Sequence, residues 1–83
     1  MSQQNTSIPV QKPSLGRVVL FTRDDYKGME RVADIVGIDP SYNTLTLHVK
    51  TADPSNPIIV DVAPIEEGAK DEGGRRWRWP PRV

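Results

Sequence analysis

The stretch TLTLHVKT (Thr44–Thr51) decides the fold. Leu45, Leu47 and Val49 alternate with Thr44, Thr46, His48 and Lys50. A period of two places the apolar side chains on one side of an extended chain and the polar ones on the other, so the segment reads as a β-strand with one buried and one wet face. His48 falls on the wet face, where a histidine is expected to meet solvent.

Reading outward, DPSYN (Asp39–Asn43) is dense turn chemistry, with Asp before Pro and then Ser and Asn. Before it lies RVADIVGI (Arg31–Ile38), a second strand whose mostly apolar face is Ala33 and Ile35. The two strands are expected to form a hairpin across the turn. After Thr51, ADPSNP (Ala52–Pro57) is another turn, and IIVDV (Ile58–Val62) a further strand. Upstream, GRVVLFT (Gly16–Thr22) is the first strand, followed by the polar loop RDDYKGME (Arg23–Glu30). APIEEGAKDEGG (Ala63–Gly74) is a charged, glycine-ended loop. RWRW (Arg76–Trp79) can pair as a short fifth strand, which Pro80 and Pro81 must end because proline has no N–H for a ladder.

Five short strands without a convincing helix indicate an all-β fold. The close spacing favours a small five-stranded SH3-like barrel over an OB barrel, which usually has longer strands. The expected organisation is a flexible polar arm over residues 1–14 and one barrel domain over residues 15–83, tail included. Ile8 and Val10 of the arm have the character of an extended segment able to join a neighbouring sheet edge.

Eighty-three residues bury a small core, and the chain has no cysteine to staple it. Oligomerisation is the expected support. Eleven basic and eleven acidic residues give a net charge of zero, unlike the basic excess of a general nucleic-acid binder. The charges are segregated, however: residues 61–72 hold five acids and one lysine, whereas residues 75–82 hold four arginines and no acid. No apolar run approaches the ~20 residues of a membrane helix, so no membrane partner is expected. MSQQNTSIPVQKPS lacks the basic start and apolar core of a signal peptide, which points to a cytoplasmic address.

The sequence does not read as an enzyme. His48 is the one histidine, no cysteine exists, and Ser41 and Ser55 lie in turns. The paired acids Asp24-Asp25, Glu66-Glu67 and Asp71-Glu72 lie in loops beside glycine, where solvation rather than acid–base work is expected. Nothing in the spacing calls for a metal, a phosphate loop or another cofactor.

The tail RRWRWPPRV (Arg75–Val83) stands apart, with both tryptophans and four of the eleven basic residues. If extended, Trp77 and Trp79 share one face and Arg76 and Arg78 the other. Two indoles can cap an open barrel end, each burying on the order of 200 Å². Tryptophan beside arginine also suits anionic planar ligands, the indole stacking and the guanidinium forking onto phosphate. Arg75, Arg76, Trp77, Arg78, Trp79 and Arg82 are therefore the candidate ligand-binding residues.

The chain resembles a group of small tailed-bacteriophage proteins. Its matching segments are PSLGRVV (Pro13–Val19), RVADIV (Arg31–Val36), Asn43 to Val49, EEG (Glu66–Gly68) and WRWPPR (Trp77–Arg82). The match spans residues 13–83, and the Trp-x-Trp-Pro-Pro-Arg ending is its most specific part. The group often has His where this chain has Arg78, and an aromatic where it has Ile65 after Pro64. The resemblance implies an SH3-like phage accessory protein acting in the cytoplasm of an infected bacterium. With the Trp/Arg tail, the leading expectation is a non-catalytic, oligomeric binder of a small anionic molecule, a nucleotide signal of bacterial immunity. A docking module for a host or phage protein comes second, and a single-stranded nucleic-acid binder third.

Overall fold

The computed structural model of the chain describes residues 12–81. The first eleven residues of the expected arm over residues 1–14, and the candidate residue Arg82, lie outside the described residues. The strands are β1 (Val18–Thr22), β2 (Arg31–Asp39), β3 (Thr44–Lys50), β4 (Ile58–Pro64) and β5 (Arg76–Arg78), with one 3-10 turn at Asp24–Tyr26. They form a single antiparallel sheet in the order β4-β3-β2-β1-β5.

The β2–β3 hairpin forms as its turn chemistry requires. The Asp39 carboxylate accepts the N–H groups of Ser41 and Tyr42, at 3.0 and 3.4 Å, and Asn43 takes the left-handed conformation at φ 57°. Asp39 then pairs with Thr44, and Ala33 with Val49. A bulge between Ile35 and Gly37 shifts the register, and Val36 is left exposed there. At Gly37 a β-carbon would stand 3.1 Å from that of Thr46, so glycine permits the close approach.

The core consists of Val19, Phe21, Ala33, Ile35, Leu45, Leu47, Val49, Ala63 and Trp77. Both alternating faces read from the sequence are thus inside. The first strand starts later than Gly16 because that residue has φ 84°; its pairing nonetheless begins there, with Gly16 N–H donating to Ile35 C=O at 2.8 Å.

β4 departs from a simple apolar strand. Ile58, Ile59 and Val60 are exposed, while Asp61 is only 7% exposed. The cause is position: β4 is an edge strand, and only its second half faces the tail. Trp77 donates from Nε1 to Pro64 C=O at 2.8 Å, and Arg75 reaches Asp61 at 3.1 Å. No backbone ladder joins β4 to β5. The barrel is therefore a loose one, drawn together by side chains.

Candidate functional site

The tail is aimed by the turn before it. Asp71 Oδ1 accepts the N–H groups of Gly73 and Arg75, both at 2.9 Å. Gly74, at φ 74°, lies against the Asp24 carboxylate where any β-carbon would collide. From there β5 runs beside β1, with Arg76, Trp77 and Arg78 opposite Thr22, Phe21 and Leu20.

The expected alternation is present. Trp77 points inward and is 2% exposed. Trp79 meets it edge to face, with ring centroids 5.0 Å apart, and the Arg17 guanidinium lies 5.0 Å from the Trp79 ring centre. The Trp79 N–H donates to Glu67 at 2.9 Å. Trp77 thus offers no open face for stacking a base.

The arginines divide into two sets. Arg75 turns to Asp71 at 2.7 Å and to Asp61 at 3.1 Å. Arg23 grips the second oxygen of Asp61 at 2.8 Å and also holds Asp25. The bond to Asp61 is the main cause raising the Arg75 pKa, and the bonds to Asp25 and then Asp61 raise that of Arg23. Arg75 is therefore a clasp between the tail and β4. Asp61 was not singled out by sequence reasoning; its signal was a lone charge between Val60 and Val62 in an apolar strand.

Arg76 and Arg78 project from the other face of β5 into a cavity of about 300 Å³. Lys70 joins them as a third cation, Glu30 is the one carboxylate, and Leu20 and Thr22 are among the lining residues. Arg78 donates from Nε and Nη2 to the two oxygens of Glu30, at 2.6 and 2.7 Å. That bond raises the Arg78 pKa and lowers that of Glu30. Arg76 donates from Nη1 to Gly74 C=O at 2.8 Å and lies 3.7 Å from Asp24. Lys70 has no ion-pair partner among the described residues. Glu30 is far from Arg78 in sequence, and no local pattern joins the two.

His48 takes its place on the outer face, opposite Asp34 and Val60. Among the described residues, no three His, Cys, Asp or Glu side chains converge as a metal site. No described helix is long and apolar enough to cross a membrane.

The ion pairs set the acid response. The Glu30 pKa lies below its ordinary 4.5. Burial pushes Asp71 up, but the N–H groups of Arg75 and Gly73 and the Arg75 guanidinium together hold it below its ordinary 3.8. A carboxylate with a lowered folded pKa contributes stability that is complete above its unfolded value and is lost as pH falls through the folded one. The melting temperature should therefore be flat from about pH 8 to about pH 5 and fall below about pH 4.5. Part of that fall should vanish in Asp71→Asn, measured by circular dichroism across the same pH series.

Comparison of the chain with protein-family models, with curated proteins and with solved structures gives no match.

Proposed function

We propose that this protein is a non-catalytic binder of a small anionic ligand, with a nucleotide as the ligand class. The observation that carries the reading is the convergence of Lys70, Arg76 and Arg78 on one cavity of about 300 Å³ whose lining holds one carboxylate, Glu30, with Asp24 at 3.7 Å from Arg76 outside it. That volume is at the lower end of small-molecule sites. Glu30 engages Nε and Nη2 of Arg78, which leaves Nη1 to donate to a phosphate oxygen. Arg76 keeps its remaining N–H groups beside it, and Lys70 adds a charge with no ion-pair partner among the described residues. Recognition rests on charge and hydrogen bonding, with Leu20 as apolar contact; Trp77 also borders the cavity but is too buried to present a face for stacking.

The resemblance of the tail to phage proteins supports a setting in the cytoplasm of an infected bacterium, where the protein withholds a nucleotide signal of host immunity. A docking module for a host protein is the second reading, favoured by the exposed Val18, Val32 and Val36 on the outer face of the sheet. Zero net charge weighs against single-stranded nucleic acid.

Native mass spectrometry of the protein purified from its producing cell tests the reading. The expected spectrum shows an adduct of nucleotide mass, absent from Arg76→Ala/Arg78→Ala, whose fold persists because both side chains project from the outer face. A bare wild-type spectrum, with a protein captured by the wild type and lost from the double variant, would favour docking.

A further inference from the structure

β4 has two halves that differ in what their outer edge meets. Thr51 N–H donates to Pro57 C=O at 2.9 Å, and Ile65 N–H donates to Asn43 C=O at 3.0 Å. These bonds fix the phase of the ladder between them. Ile59, Asp61 and Ala63 turn their backbone groups toward β3, whereas Ile58, Val60, Val62 and Pro64 turn theirs away.

The second half of that edge is satisfied within the chain. Val62 N–H donates to Asp61 Oδ1 at 2.8 Å, and Pro64 C=O accepts from Trp77. Ile58 and Val60 remain, and their outward N–H and C=O groups meet no partner among the described residues. The side chains of this window are apolar and exposed: Ile58 47%, Ile59 37%, Val60 63%. Within Ile58–Val60 no charge, proline or bulge intervenes, although these are the usual defences of a sheet edge; Pro57 and Asp61 only bound the window, and Asp61 turns inward to Arg23 and Arg75. The opposite edge strand has them: β5 is three residues long, carries Arg76 and Arg78, and is followed by Trp79 and then Pro80 and Pro81.

We propose that a second copy of the chain pairs antiparallel with this window, about a two-fold axis through Ile59. Ile58 then stands opposite Val60 of the partner subunit, and Val60 opposite Ile58 of the partner subunit. Both pairs fall where the backbone groups point outward, so each exchanges two hydrogen bonds and no outward group in the window is left over. β-branched side chains oppose one another on both faces. The pairing stops where the Val62 N–H is already committed. A chain of zero net charge brings no overall repulsion to a copy of itself. The window contains no residue of the cationic cavity, so this inference stands apart from the ligand reading.

Three residues a side bury less than the roughly 1,200 Å² of a standard interface, so the dimer is weak. Sedimentation equilibrium of the full chain should show the average mass rising from one subunit towards two between about 10 µM and about 1 mM. Val60→Lys and Val60→Pro should each weaken association at least about tenfold, the first by charging the edge and the second by removing an outward donor without touching the β3 ladder. Circular dichroism establishes that each variant is folded. In the wild type, the Ile58 and Val60 amides should exchange more slowly at the higher concentration. A wild type that stays monomeric, or amides that exchange equally at both concentrations, would overturn the proposal. So would association that survives in folded Val60 variants, or that is abolished only by Ile8→Lys/Val10→Lys, which would place the arm at this edge.

Discussion

Trp77→Ala leaves most of the protein unfolded at 25 °C. Trp77 is the largest fully buried side chain, and it alone brings β5 into the core. Removing a buried tryptophan costs about 3–5 kcal/mol through lost burial and the cavity left behind. The Pro64 carbonyl also loses its indole donor, worth about 1 kcal/mol. A small core without staples rarely supplies more than about 3–5 kcal/mol in total. The loss therefore matches the whole reserve. Trp77→Phe keeps most of the volume and should remain folded, weakened by about 1–3 kcal/mol from the lost hydrogen bond and the smaller ring. Urea unfolding followed by circular dichroism separates the two. A cooperative Trp77→Ala transition close to that of the wild type would show that the tail is an appendage rather than part of the core.

Asp61→Ala is the second large effect. Its carboxylate is the one buried acid of the sheet and holds Arg23 through one oxygen and Arg75 through the other. Without it, two guanidinium groups face each other with no anion between them. Breaking a buried ion pair from one side costs about 3–5 kcal/mol, reduced here to about 2–3 because both arginines keep a third of their side chains in water. Val62 also loses the acceptor for its N–H. Asp61→Asn retains the shape and one acceptor, so it should cost less than Asp61→Ala in the same urea titration. An equal loss in the two variants would assign the whole effect to the lost charge, and a negligible loss in both would contradict the clasp.

These two residues also mark what was and was not legible in the sequence. Leu45, Leu47 and Val49, with Ala33 and Ile35, were readable because alternation is a local property of the chain and the sheet buries one face of it. Trp77 and Trp79 on one side of the tail, and Arg76 and Arg78 on the other, followed from the same period. Asp61 was hidden because its burial depends on Arg23 and Arg75, which only the closed fold brings to it. Glu30 and Lys70 were hidden for the same reason, since their relation to Arg78 and Arg76 is purely tertiary. The four-arginine cluster was correct as composition, yet Arg75 departs to the clasp while Arg76 and Arg78 line the cavity. The exposure of Ile58 to Val60 likewise has no sequence signal, because an edge strand and a central one can share the same β-branched run.

The central claim is that Arg76 and Arg78 bind an anion while Trp77 maintains the fold, and calorimetric titration tests it most directly. A nucleoside diphosphate is titrated into the wild type and into Arg76→Ala/Arg78→Ala at fixed ionic strength. Binding by the wild type, weakened at least about a hundredfold in a double variant that circular dichroism shows to be folded, is the expected result, since each lost charge-assisted contact is worth about 1.5–3 kcal/mol. Equal affinity in the two proteins, or no heat in either across mono- and dinucleotides, would contradict it.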